Sequence, residues 1–230
     1  MDPMGSGAGR DHRPHLPDDS EPLSTIGRKQ VRRLLMDWLR AIKEDIKNAT
    51  VLRLPRPEGG YYDYIVNSLS SGVPEIPSEA LWGCAFEIAR ISDLRGVSKV
   101  IAPEAMGIHV ASALSMVTGI PMLVVRKRRY GLPGEIEIRK RTGYEETRMY
   151  ANGLGVGDVV LLVDSIIATG GTFVAIIKAL EARGIRVREA VAVIERAELN
   201  GVERVRRETG HEVKTLIRVT VSRDRPVILG

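Results

Sequence analysis

The chain has 230 residues, 43% of them apolar and 27% charged, with a net charge of +5. That length can bury the core of a single domain, and no apolar stretch approaches a membrane span. The N-terminus lacks the basic start and apolar centre of a signal peptide. The single cysteine, Cys84, cannot form an internal disulfide, and no His/Cys cluster has zinc spacing. A cytoplasmic protein without structural zinc is the expectation.

In chain order, residues 1–26 are rich in Pro, Gly and Asp and read as a disordered tail. Residues 28–48 carry an apolar stripe (Val31, Leu34, Leu35, Trp38, Ile42, Ile46) that predicts an amphipathic helix for packing or dimer contact. Short apolar runs cut by Pro and Gly over 51–77 predict an irregular cap with a hairpin. A helix over Ser78–Arg90 follows, with Ser78 as N-cap. Cys84, in an apolar context there, reads as packing.

From this point strands and helices alternate: strand Val97–Ala102, helix Gly107–Val117, strand Pro121–Arg126. The segment 127–156 is basic, polar and broken by glycine, too polar for core, with a possible ribbon of Glu135–Arg139 and Arg148–Ala151. Strand Val159–Val163, a helix over 171–183, strand Val187–Ile194, helix Val202–Thr209 and strand Val213–Val221 complete the pattern. Such alternation predicts βαβ units and a mostly parallel sheet.

The charge is unevenly placed. Between Arg126 and Arg148 there are eight Lys or Arg and four Glu, a net +4 out of the chain's +5. Concentrated charge of this kind steers a small polyanion. No recognisable nucleic-acid-binding module accompanies it, so nucleic acid is not the expected partner.

The most informative stretch is Asp158-Val-Val-Leu-Leu-Val-Asp-Ser-Ile-Ile-Ala-Thr-Gly-Gly-Thr172. An apolar strand ends at an acid, Asp164, opens into a loop of small residues, Ala168–Thr172, and continues into a helix. That order sets backbone N–H groups and hydroxyls at a helix N-terminus, where an anion is stabilised. A Walker loop is excluded because the first lysine, Lys178, lies well inside the helix. The Gly153, Gly155, Gly157 run precedes its strand, whereas a dinucleotide fingerprint follows one.

The stretch resembles the phosphoribosyl pyrophosphate (PRPP) motif of type I phosphoribosyltransferases, and the resemblance extends from about Tyr62 to the C-terminus. Pro103-Glu-Ala-Met-Gly107 is similar to the family's pyrophosphate loop. Arg126-Lys-Arg-Arg-Tyr-Gly-Leu-Pro-Gly-Glu135 with Thr142-Gly-Tyr144 resembles the flexible loop of the purine enzymes. Val193-Ile-Glu-Arg196 and Val213-Lys-Thr-Leu216 complete a pattern similar to the archaeal hypoxanthine/guanine branch.

The resemblance implies an α/β fold: a mostly parallel five-stranded sheet flanked by helices, with a small hood and a flexible lid loop. The phosphoribosyltransferase domain would span 27–230, with the N-terminal helix and hood elements at 27–77 and the core sheet at 97–221. It also implies transfer of ribose 5-phosphate from PRPP to a purine with release of pyrophosphate, Mg²⁺ as cofactor, and a homodimer.

On this reading Asp164, Ser165, Ala168, Thr169, Gly170, Gly171 and Thr172 bind ribose and 5′-phosphate, and Asp164 holds Mg²⁺ through water. Glu104, Ala105, Met106, Gly107, Arg126 and Lys127 bind pyrophosphate, while Ile166 and Glu195 meet the base. Two departures from the family pattern stand out. Ser165 replaces a second acid, which weakens one ribose contact. Ala168 replaces a carboxylate that handles a purine proton, leaving Glu145 or Glu146 as candidate acid/base, or water.

The base stays open between hypoxanthine/guanine and adenine, because Ala168, Glu195 and the Arg-Lys-Arg…Leu-Pro-Gly loop are similar to adenine enzymes. Ser165 and the basic N-terminal helix motivate one alternative, a non-catalytic PRPP- or nucleotide-binding regulator of the same fold.

Overall fold

A computed structural model describes residues 28–55, 59–141 and 146–229, with side chains at 38–55, 59–140 and 147–229. The expected tail and the Thr142–Glu145 segment, with its candidate acid Glu145, lie outside the described residues.

The N-terminal helix α1 (Arg28–Lys47) leads into a hairpin of β1 (Thr50–Pro55) and β2 (Tyr61–Val66), then a one-turn helix α2 (Ser68–Ser71). Asn67 caps α2 by accepting the Ser70 N–H at 2.9 Å, and Asp45 of α1 accepts from both Ser68 N–H and Ser68 Oγ. Helix α3 spans Ser78–Ile91. The expected Ser78 cap is corrected: Pro77 occupies the N-cap position, and Ser78 Oγ turns to Glu79 instead.

The core alternates β3 (Lys99–Pro103), α4 (Ile108–Thr118), β4 (Met122–Val125), the ribbon β5 (Ile136–Arg141) and β6 (Glu146–Ala151), then β7 (Val159–Ile167) and α5 (Gly171–Glu181). Next come β8 (Arg186–Arg196), α6 (Gly201–Thr209), β9 (Val213–Ser222) and β10 (Arg225–Leu229). The main sheet runs β10-β9-β8-β7-β3-β4. Five strands are parallel, as expected, and β10 adds a sixth, antiparallel to β9. An antiparallel edge on a parallel sheet needs only a tight turn, here Arg223 and Asp224 at positive φ.

Strand alternation divides the core into two layers. Leu161, Val163, Val191 and Val193 face α1, α3 and α4, meeting Trp38, Ile42, Cys84, Ile88 and Leu114. Val160, Leu162, Ala190 and Ala192 face α5, meeting Phe173, Ile176, Ile177 and Leu180. Trp38 sits directly on Gly83: a Cβ there would meet the indole Cγ at 1.9 Å, so only glycine lets α1 and α3 approach this closely.

The basic segment does enter the core. Ile136, Ile138, Met149 and Ala151 of the ribbon are buried with the α5 layer. Glu137 and Arg139 alternate with these positions onto the other face of β5, so the expectation that 127–156 is too polar for core is corrected.

Candidate active site

Strand β7 carries Asp164, but not at its end. Pairing with β8 continues through Ile166↔Ile194 and Ile167↔Glu195, so the strand runs three residues beyond the acid. The loop Ala168–Gly170 follows, and α5 begins at Gly171. Asp164, Ile166 and the run from Ile167 to Phe173 line one cleft of about 210 Å³, into which Lys140 of β5 also reaches. Six of the seven residues expected to bind ribose and 5′-phosphate are therefore brought together.

The exception is Ser165. Consecutive strand residues point to opposite faces, so with Asp164 in the cleft, Ser165 turns away. It is fully buried and its Oγ makes no well-aligned hydrogen bond. Its contribution near the cleft is the backbone N–H, which donates to Asp164 Oδ1 at 2.7 Å.

Burial pushes the Asp164 carboxyl up to about 7, against the pull of the Ser165 amide and hydroxyl, the Ile166 amide and the Lys140 ammonium. Burial thus outweighs the Lys140 ammonium, and a bound cation or hydroxyl donors would favour the carboxylate.

Close packing holds the loop. A Cβ on Gly170 would lie 2.4 Å from the Gly201 carbonyl oxygen, and Gly170 adopts φ +73°, which suits glycine. No side chain caps α5, and its first turn contains no acid, leaving its leading N–H groups directed at the loop.

The expected pyrophosphate residues form a second cluster at the carboxyl ends of β3 and β4, beside β7. Glu104–Gly107 is a turn entering α4, and the Glu104–Ala105 peptide is cis. A Cβ on Gly107 would meet the Pro103 carbonyl oxygen at 2.8 Å, so this turn needs glycine to lie against its strand. Met106 touches the hood, its Cε 3.4 Å from where a Gly72 Cβ would be. Glu104 accepts the Lys127 N–H at 2.8 Å, and Arg126 Nε stands 2.7 Å from Glu104 Oε2, an ion-pair contact without hydrogen-bond alignment. The Lys127 side chain is exposed.

Glu195 lies apart from the cleft. Its carboxylate accepts from Thr215 Oγ1 and from Arg218 Nε, each at 3.0 Å, and so joins β8 to β9. Its neighbour Arg196, 2% exposed, fastens the hood: it donates to the Asp63 carbonyl and to Glu198, and lies over the Tyr62 ring at 5.6 Å. His109 is half-buried, and burial lowers its pKa.

A larger groove of about 510 Å³ lies between α3 and α4, lined mainly by apolar groups such as Leu81, Trp82, Ile108 and Met116. It meets the pyrophosphate cluster only at Ala105, and its lining lacks any cation for a phosphate.

Two cations outside the sequence motifs stand beside the first residue of α5. Lys140 and Arg204 flank Gly171, where a Cβ would meet Lys140 Cε at 3.3 Å and Arg204 Nη1 at 3.4 Å. The signal for Lys140 was present: Ile136, Ile138 and Lys140 alternate onto the same, inward face of β5.

A parallel sheet, an acid on a central strand and a small-residue loop opening a helix are features of α/β proteins that bind phosphorylated ligands at the strands' carboxyl ends. Residues 81–216 match the phosphoribosyl transferase domain, and the chain belongs to that family.

Among curated relatives, it is 44% identical over 180 residues to the hypoxanthine/guanine phosphoribosyltransferase of Methanothermococcus okinawensis, covering 78% of this chain and 97% of that protein. The protein of the same name from Methanothrix thermoacetophila is 43% identical over 187 residues, covering 81% and 94%. Among solved structures, the adenine phosphoribosyltransferase of Thermoanaerobacter pseudethanolicus superposes with a TM-score of 0.60 at 22% identity, covering 78% of this chain and 99% of that one. That of Leishmania donovani gives 0.61 at 19% identity, covering 79% of each. The structural likeness concerns the fold.

Proposed function

We propose that the chain transfers ribose 5-phosphate from PRPP to hypoxanthine or guanine and releases pyrophosphate. The observation that carries this reading is the Asp164 cleft: one carboxylate beside an uncapped helix N-terminus, in a chain more than two-fifths identical to hypoxanthine/guanine phosphoribosyltransferases. The fold's likeness to adenine enzymes keeps adenine as the second base to test.

In the reaction the bond from the sugar carbon to pyrophosphate breaks, and pyrophosphate keeps the electron pair. A ring nitrogen of the purine forms the new bond and gives up its proton. Thr169, Thr172 and the 168–172 backbone anchor the 5′-phosphate, and Asp164 accepts from the ribose hydroxyls. The Glu104–Gly107 turn with Arg126 and Lys127 receives the departing charge. Ile166 offers an apolar surface to the base. Ser165 acts only through its backbone, and Glu145 remains the proposed proton acceptor, with water as its alternative.

Among the described residues Asp164 is the only carboxylate lining the cleft, and no group of three or more His, Cys, Asp or Glu can cage a metal. This donor set fits Mg²⁺, which keeps several waters and takes most remaining ligands from substrate oxygens. Asp164 would hold the hydrated ion, whose chemistry is to neutralise the pyrophosphate charge. Among the described residues no helix is long and apolar enough to cross a membrane. A homodimeric, cytoplasmic enzyme of purine salvage completes the proposal.

The test is incubation with Mg-PRPP and, separately, hypoxanthine, guanine, adenine, xanthine and orotate, following nucleotide and pyrophosphate. Nucleotide from hypoxanthine and guanine is expected. Turnover of adenine alone would reassign the base, and PRPP binding without any turnover would replace the enzyme with a regulator.

A further inference from the structure

Lys140 occupies an unusual place for a surface cation. It follows Ile136 and Ile138 on the inward face of β5, so the buried part of the strand aims it at the site. It lines the Asp164 cleft, and it also lines a neighbouring groove with Gly171, Lys178, Arg204 and Glu208. Its Cε lies 3.3 Å from where a Cβ on Gly171 would be, at the first residue of α5.

Arg204, from α6, approaches the same glycine, its Nη1 3.4 Å from that Cβ position. Its Nη1 reaches the Thr169 carbonyl at 3.4 Å, and its Nε is held by Glu208 at 2.8 Å. Two cations from separate elements thus stand beside the residue where the loop becomes a helix. The sequence motif supplies neutral groups alone at this point, namely hydroxyls and backbone N–H. An ammonium adds a charge-assisted contact to a phosphate dianion, stronger than a neutral donor gives.

We propose that Lys140 is a direct ligand of the 5′-phosphate and sets the preference for phosphorylated over unphosphorylated sugar, while Arg204 is a positioning residue that steadies the loop through Thr169. This rests on the proposed placement of PRPP in the cleft. Lys140 belongs to the ribbon and not to the loop, so phosphate affinity depends on the seating of β5 against α5.

The experiment compares wild type, Lys140→Met, Lys140→Arg and Arg204→Gln. One readout is equilibrium binding of ribose 5-phosphate against ribose, by calorimetry. The other is KM for PRPP against kcat in purine transfer. Lys140→Met is expected to weaken ribose 5-phosphate about tenfold to a hundredfold. It should leave ribose binding and melting temperature unchanged, and raise KM for PRPP more than it lowers kcat. Lys140→Arg should recover most of the loss, and Arg204→Gln should lower kcat and raise KM together.

Equal ribose 5-phosphate binding by wild type and Lys140→Met overturns the proposal. So does wild-type binding of ribose 5-phosphate no tighter than ribose, whatever the transfer assay gives. Lys140-dependent sugar-phosphate binding without purine transfer would uphold this inference and overturn the assigned reaction.

Discussion

Gly201 lies directly against the Ala168–Gly170 loop: a Cβ there would stand 2.1 Å from the Ala168 carbonyl oxygen and 2.8 Å from the Gly170 nitrogen. Neither contact is to a flexible side-chain end, so the backbone would have to yield. Gly201→Ala is therefore expected to lift the loop from α6. Misplacing a substrate anchor by about 1 Å can cost about a hundredfold in rate, and kcat/KM for PRPP should fall on that scale. Steady-state kinetics with PRPP varied checks it; an unchanged kcat/KM would mean the loop tolerates the displacement.

Asp164 gives a pH signature. Its carboxyl titrates near 7 in the fold and near 3.8 when unfolded, so between those values the native state holds a proton that the unfolded chain has lost. Stability then falls as pH rises through this window, by at most about 1.4 kcal/mol per unit, and levels off above it. Asp164→Asn should remove that slope and be the more stable protein at pH 8, while losing most transfer activity. Urea unfolding at pH 5 and pH 8 decides the first point, and parallel slopes for the two proteins would contradict it.

Much of the site could be read from the chain because its signals are local. An apolar run, an acid and small residues before a helix are contiguous, and they place Asp164 and the 168–172 loop together. What was missed depends on partners distant in sequence. The motif alone places Ser165 at the sugar, whereas strand alternation directs its side chain to the opposite face from Asp164. Strand β10 was hidden by Arg225 and Pro226, residues an edge strand accommodates. The ribbon's buried positions were masked by the charges between them, and Lys140 with them. Glu195 ended its expected strand plausibly, but its engagement by Thr215 and Arg218 depends on β9, twenty residues further on.

The seat of Trp38 on Gly83 sets a stability prediction. Gly83→Ala inserts a methyl where the indole lies, and overpacking of this kind typically costs about 1–3 kcal/mol. Trp38→Leu in the same chain should recover part of that loss, because the two sites share one contact. Chemical denaturation of the two single variants and the double variant measures it, and strict additivity would show that the residues do not touch in solution.

For Glu195, the ties to β9 predict a modest effect on the base. Glu195→Gln should change KM for the purine by no more than about twofold, since a partly exposed ion pair is the main interaction lost. Purine titrations at saturating PRPP provide the check, and a large rise in KM would restore the carboxylate to base recognition.

Arg196 and Gly201 are separated by one short 3-10 turn, Ala197–Leu199, and Asn200. The first clasps the hood through Asp63 and Tyr62, and the second carries the phosphate loop. The tether of the hairpin and the support of the 168–170 loop are thus mounted on a single bracket of six residues, rooted in the sheet through β8. Substitutions at Arg196 and Gly201 should consequently be non-additive in sugar-phosphate affinity, even though the two residues contact different segments of the chain.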